Sequence, residues 1–339
     1  MLNTIIASIV MLGLLIFVHE LGHFIVARLV RIKVLEFAIG LGKELFSRQK
    51  EGGTRYSLRL FPLGGFCRLL GEDPEEALKE GSFQKKPLFS RLAVISAGSL
   101  MNFLLAVVLF SLVYFFFWGV PQSQTTQIGE ILPGSRAYEA GLQSGDVILA
   151  IDGLEMKDWD DIIAYINANP ERQITLLVQR GNAVISITVV PAGDTGKGLI
   201  GIAPVYKKYV FFRSIALGFN YTWFFIKLIF VSLYQMITGV IPADIAGPVG
   251  IVAIVAEVTK TGLGNLFYLA AIISINLGII NLLPIPALDG SRIIFLVLEG
   301  IRGKPIDPQK EGFIHFVGFT VLIILMILIA FQDITRLIF

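Results

Sequence analysis

Cysteine is almost missing. Cys67 stands alone among 339 residues, so the chain can form neither an internal disulfide nor a thiolate-built zinc site. Histidine is nearly as scarce, at His19, His23 and His315. Charged side chains make up only 16% of the chain, against roughly a quarter in soluble domains, and the net charge of +2 offers nucleic acid no basic surface. Internal repeats and low-complexity tracts are lacking too. The N-terminal apolar run has no basic leader and no small-residue cleavage site, so it is expected to stay as a span instead of being removed as a signal peptide. What fills the chain is apolar, at 55% of residues. That composition predicts a membrane protein with room for one soluble module.

The first apolar stretch, from about Leu2 to Leu29, carries His19-Glu20-Leu21-Gly22-His23. On insertion scales the worst ionisable residues cost roughly 2.5–3.5 kcal/mol at the centre of a span, yet three such groups sit here in five positions. At about 100° per residue, His19 and His23 fall about 40° apart, one helical turn up the same face. Two imidazoles so placed can grip one metal ion, and Glu20 beside them can take a proton from water activated there. A histidine pair satisfied by packing is the plainer alternative. The whole pentad inside a span favours the metal.

Residues 31–91 hold twelve Lys or Arg against eight acids, which marks the cytoplasmic side, so the first span is expected to enter from outside. Arg55 to Leu60 alternates polar and apolar, and Phe61-Pro62-Leu63-Gly64-Gly65-Phe66 follows. The pattern predicts a strand, a turn at Gly64–Gly65 and a second short strand, a β-hairpin at the membrane surface. Its edge could accept an extended peptide, or the sheet could merely plug the bundle; the pattern leaves both open. A second span, from about Leu92 to Trp118, returns the chain to the outside. Asn102 is its one strongly polar interior residue, a packing hydrogen bond or part of a site.

Charges and short strands return over residues 122–205. Strands are predicted at Ile128–Leu132, Val147–Ile151, Gln173–Arg180 and Ala183–Val190, the last two joined by Gly181-Asn182. Arg136–Leu142 and the amphipathic Asp158–Asn167 read as helices, giving a small α+β domain. The block resembles a bacterial, circularly permuted PDZ domain, on Pro133-Gly134-Ser135-Arg136-Ala137, Ala140-Gly141-Leu142, Gly145-Asp146 and Ile151-Asp152-Gly153. That resemblance implies a groove for a peptide or C-terminus between Gln127–Ile131 and the Asp158–Asn167 helix.

Phe211–Gly239 is apolar but carries Arg213, Asn220, Lys227 and Gln235 along one face, so it is expected to lie in the interface. Leu266–Leu283 is the strongest later apolar run, and Pro284-Ile285-Pro286-Ala287-Leu288-Asp289-Gly290 follows it. The prolines end the hydrogen-bonded helix, and an Asp at membrane depth marks a function. A charged loop, Glu299–Glu311, then leads to a last span, about Phe313–Phe331. A catalytic zinc takes three protein ligands and keeps one position open. Asp289 is the better third ligand; His315, at a loop–span junction, reads as an ordinary surface or packing residue. His19 and His23 lie roughly 22–29 Å into a helix entering from outside, and Leu266–Leu283 covers roughly 25 Å from the same side. The ligands therefore meet at one depth if Phe211–Gly239 does not cross. The expected fold is a polytopic α-helical membrane protein of four spans, both termini outside. Its parts are an N-terminal membrane core (1–121), an inserted extracytoplasmic domain (122–205), an amphipathic interfacial segment (206–265) and a C-terminal membrane core (266–339).

HELGH at 19–23, Phe61–Phe66, the PDZ-like block, Gly247-Pro248-Val249 and Asn281-Leu282-Leu283-Pro284-Ile285-Pro286-Ala287-Leu288-Asp289-Gly290 occur in the order of a known family. The whole chain resembles a site-2 intramembrane metalloprotease of the regulator-of-sigma-E-protease type. The resemblance implies Zn2+ held by His19, His23 and Asp289, with Glu20 as general base. It implies substrate contacts from Asn281, Asn276, Pro284, Pro286 and Asn102, and a docking edge at Gly64 and Gly65. It also implies a cell inner membrane location and transmembrane substrates, such as anti-sigma factors or remnant signal peptides. The chain departs from the pattern in three places. Ser99 follows Gly98 where the family has Pro, Phe66 stands for Tyr, and one PDZ block replaces the two of the best-known relatives. A non-catalytic PDZ-bearing scaffold or receptor is the rival reading, but a scaffold has no use for Glu20 between two intramembrane histidines. A metal transporter would need polar residues across more spans.

Overall fold

The computed structural model describes residues 2–72, 74–194, 196–242, 247–304 and 306–338. Two compact units emerge: Met1–Val113 with Ile215–Phe339, and Tyr114–Ser214.

The first unit begins with α1 (Leu2–Leu29), an apolar run without proline that ends as the backbone turns left-handed at Arg31. Strands β1 (Val34–Gln49) and β2 (Arg55–Leu69) follow, then α2 (Leu88–Leu112), which starts directly after Pro87. With Ser99 in place of proline, α2 runs unbroken past Gly98. The two long strands fold back on each other. Phe37 pairs with both Cys67 and Tyr56, and Tyr56 also pairs with Arg48. The sheet therefore has four segments, ordered 44–49, 55–59, 36–39 and 65–69. Gly40 and Gly42, with φ of 87° and 83°, let β1 bend between its two segments, a conformation costly for any residue with a Cβ. This corrects the expected hairpin. The turn lies at 50–54, and the segments on either side of Gly64–Gly65 do not pair with each other. Both flank 36–39, so 65–69 is an edge.

In the second unit, β3 (Val120–Pro121) and β4 (Ile128–Ile131) precede α3 (Arg136–Glu139), β5 (Val147–Ile151), β6 (Leu154–Glu155) and α4 (Trp159–Asn167). Then come β7 (Ile174–Arg180), β8 (Ala183–Val189), β9 (Ala192–Asp194), β10 (Lys197–Leu199), β11 (Ile202–Pro204) and β12 (Tyr206–Lys207). The main sheet has order β6-β5-β7-β8, with Arg180 opposite Ala183 across the two-residue turn. Its inward face and the apolar stripe of α4 bury Ile148, Ile151, Trp159, Ile162, Leu176 and Val178 in one core. Asp158 caps α4 by accepting from the Asp161 N–H. α3 stops at Glu139, short of the expected Leu142, because the Gly141 backbone is left-handed.

The chain re-enters the first unit through α5 (Phe211–Ile237), α6 (Pro248–Thr259), α7 (Leu263–Leu282), α8 (Asp289–Arg302) and α9 (Pro308–Ile338). The expected charged loop at Glu299–Glu311 shrinks to a link between α8 and α9. Residues 289–302 are a helix, capped at its end by the left-handed Gly303. Five helices among the described residues are long and apolar enough to cross a membrane, one more than expected; the additional one is α5. Helix packing uses small residues. A Cβ on Gly22 would meet the Met101 side chain at 2.8 Å, and one on Gly278 would meet Phe103 at 2.8 Å.

Candidate metal centre

Three elements converge on one point. α1 presents His19 and His23 from one face, both buried at 6% and 8% exposure. α8 begins at Asp289, whose charge suits a helix N-terminus. The close approach that puts it there needs Gly290, since a Cβ would run into the Leu282 and Leu283 carbonyls ending α7. Asp289 Oδ2 lies 3.1 Å from His19 Nε2 and 3.2 Å from His23 Nε2, and the two Nε2 atoms are 3.2 Å apart. Ligands about 2.0–2.1 Å from a tetrahedral zinc stand about 3.3 Å from one another, so this triangle has the size of a zinc site.

The surroundings set which ring atoms face inward. His23 Nδ1 donates to the Val94 carbonyl at 2.8 Å, leaving the Nε2 lone pair free. His19 Nδ1 meets the Asn102 amide at 3.3 Å, and rotating that amide brings its otherwise unpartnered, buried Oδ1 to the ring N–H. Ser274 donates to the Asn102 carbonyl at 2.8 Å. Asp289 Oδ2 is itself buried with no separate donor. Two imine nitrogens and a carboxylate oxygen facing one another repel unless a cation sits between them. The donor set therefore fits Zn2+.

Glu20 lines the same cavity, of about 320 Å³, and the Cys67 N–H on the 65–69 edge bonds its carboxylate. A Cβ on Gly65 would lie 3.6 Å from Glu20 Cγ, so the edge strand passes beside the carboxylate. Asn281 brings its amide to 3.5 Å from both ring nitrogens of His19. Asn276 lies five residues earlier, about 140° round α7, and none of the described hydrogen bonds joins it to the site. Pro284 is exposed and Pro286 half-buried on the link between α7 and α8; Gly64 is half-buried at the start of the edge.

Three further residues, not assigned to the site from the sequence, lie beside it. Gly98 packs against both histidine rings. Arg292, one turn after Asp289, lines the cavity and pairs with Glu72 at 3.0 Å. His315 accepts a backbone hydrogen bond from Ala287 at 3.0 Å. Only the i+3 spacing of Arg292 from Asp289 was visible beforehand.

Two histidines on one helix turn, a carboxylate from a second helix and a glutamate in one cavity are the donor arrangement of a membrane-embedded zinc peptidase. Comparison with known proteins agrees. The model of Peptidase family M50 matches residues 7–325. The regulator of sigma-W protease RasP of Bacillus subtilis is 36% identical over 422 aligned positions, covering 99% of each chain. A putative zinc metalloprotease of Clostridium acetobutylicum is 36% identical over 336 positions, 97% of each. The probable protease eep of Enterococcus faecalis is 31% identical and covers 100% of both. The chain belongs to Peptidase family M50, and it is an intramembrane zinc metalloprotease. Among solved structures, the PDZ domain of an SdrC-like protein from Listeria monocytogenes is similar to 24% of this chain and 88% of its own, at 21% identity and a TM-score of 0.23.

Proposed function

We propose that His19, His23 and Asp289 hold the zinc and that Glu20 is the general base for cleavage within transmembrane segments. The observation that carries this is the donor triangle of 3.1–3.2 Å with Glu20 in the same cavity. Zinc held by these three residues would supply Lewis acidity, lowering the pKa of a water toward neutrality and polarising a peptide carbonyl. Glu20 takes the proton of the attacking water and returns it to the leaving amine. Val94 and Asn102 hold the two imidazoles in the tautomer that keeps Nε2 free. A helical substrate hides its carbonyls in its own hydrogen bonds, so it must unwind. The 65–69 edge beside Glu20 offers backbone groups to the unwound stretch as an added strand, and the Asn281 amide beside His19 is a further partner.

The four-span topology belongs to the same reading. Met11 shares a buried cluster with Ala271 and Ile275, while His19 meets Asn281, so α1 and α7 run in the same direction. Since α2 leads back to the outside, α5 and α6 together make no net crossing. The polar stripe of α5, with Lys227 stacked over Trp223 at 5.2 Å, supports an interfacial position. Residues 122–205 serve as a PDZ domain outside the membrane, its groove open to a peptide or C-terminus. The regulator of sigma-W protease RasP of Bacillus subtilis is a relative, and the substrates are transmembrane segments such as those of anti-sigma factors or remnant signal peptides. Incubating purified protein with a reporter transmembrane segment and weighing the fragments tests the reading. Chelator-sensitive scission inside the apolar stretch is expected; scission confined to the flanks would overturn it.

A further inference from the structure

The link between α7 and α8 has three backbone N–H groups between Pro284 and Leu288, because the two prolines have none. Two of them bond within the link: Ile285 to the Leu283 carbonyl at 2.7 Å and Leu288 to the Ile285 carbonyl at 3.1 Å. The third, on Ala287, leaves the link and donates to His315 Nδ1 on α9 at 3.0 Å. Ala287 is also the link's one left-handed residue, with φ of 78°, a conformation disfavoured for any residue carrying a Cβ. It stands two positions before Asp289. The His315 ring is held in turn by the edge-on ring of Phe295, with centroids 5.7 Å apart, and Gly318, one turn further on, packs on Pro286.

We propose that His315 is a positioning residue for Asp289: it anchors the strained Ala287 and so fixes where α8, and its first residue, begins. The proposal rests on Asp289 being a zinc ligand. A metal ligand must sit within about 0.2 Å of its place. With the anchor gone, Ala287 can relax out of its left-handed conformation and carry Asp289 with it.

The test is zinc affinity of the purified full chain, measured by competition with a chromophoric chelator, alongside thermal unfolding. His315→Leu should weaken zinc binding by about 10–100-fold, as loss of an outer-shell partner does. His315→Asn, whose Oδ1 takes the place of Nδ1, should restore it. Ala287→Gly accepts a positive φ freely and should recover part of the loss in the His315→Leu background. Asp333→Ala cuts a different tie of α9, to the Gly250 and Gly247 N–H groups at 2.8 and 3.3 Å, and should leave zinc affinity unchanged. Wild-type affinity in His315→Leu overturns the proposal, provided Asp289→Ala loses zinc in the same assay. Retention of zinc by Asp289→Ala overturns the ligand assignment beneath it. Failure of His315→Asn to rescue, or an equal loss in Asp333→Ala, reduces His315 to helix packing and also overturns the proposal.

Discussion

Gly98→Ala adds one methyl group at the place where α2 leans on the histidine pair. Built onto this backbone, the new Cβ lies 2.6 Å from His19 Cε1 and 2.7 Å from His19 Nε2, and it collides with His23 Nε2 as well. Favourable contacts begin at about 3.5 Å, so at least roughly 0.9 Å must be found. Parting the helices would give up the close packing of Gly22 on Ala97 and Met101 at the neighbouring turn. The imidazoles must move instead, by several times the roughly 0.2 Å that a metal site tolerates. Zinc affinity should fall at least about 10–100-fold, equivalent to about 1.4–2.8 kcal/mol. The fold should survive. Alanine is a better helix former than glycine by about 1 kcal/mol, which offsets part of an overpacking cost of about 1–3 kcal/mol. Chelator competition and thermal unfolding on the same preparation separate the two effects. Zinc affinity and cleavage both equal to wild type in Gly98→Ala would refute the placement of Gly98 against the metal-facing nitrogens.

Gly65→Val forces the edge strand away from Ala38 and Glu20, so kcat should drop about 100-fold with zinc content unchanged, the order of a lost acid–base contribution; metal loss in that variant would contradict the assignment of the edge to substrate and base. Arg91 and Glu299 join α2 to α8 through two hydrogen bonds, at 3.0 and 2.5 Å, with side chains only 11% and 21% exposed. Arg91→Leu should therefore cost about 3 kcal/mol, read as a lower unfolding temperature. Arg180 grips Asp146 at 2.8 and 2.7 Å and holds its carboxyl below the usual carboxylate range. Since the folded value is depressed, that stabilisation is complete above about pH 3.9 and is lost as pH falls through the folded value. Hydrogen-exchange protection in β5 and β7, relative to the intrinsic rate at each pH, should fall below about pH 4 in the wild type. In Arg180→Met protection should be lower already at neutral pH, with a flatter acid limb. A tag inserted at residue 242 should react only from outside the cell; labelling from the cytoplasm would break the four-span topology.

Much of the site was legible because its parts are local. The pentad on α1, the proline-rich link before Asp289 and the alternating strands of residues 122–205 each announce themselves within a dozen residues. β1 was not legible: Val34–Gln49 has glycines at 40 and 42, and its partners are set by pairing up to thirty-five positions away. Without it, Gly64–Gly65 looked like a hairpin turn, whereas it leads into an edge laid along Glu20. α8 was hidden because its first residue follows two prolines and its charged end resembles a loop. Gly98 stood out only as the residue before Ser99, and its contact with both histidine rings, from seventy-five positions or more away, has no local signature. His315 reads in the sequence only as a surface or packing residue, because its partner is a backbone N–H, which leaves no mark in a side-chain pattern.

The central claim is that three residues bind one zinc and Glu20 uses it. Metal content and cleavage of a reporter transmembrane segment, measured together on Glu20→Gln and Asp289→Ala, test it most directly. Glu20→Gln should keep its zinc and lose cleavage, and Asp289→Ala should lose both. Cleavage surviving in Glu20→Gln, or full zinc content in Asp289→Ala, would contradict the account.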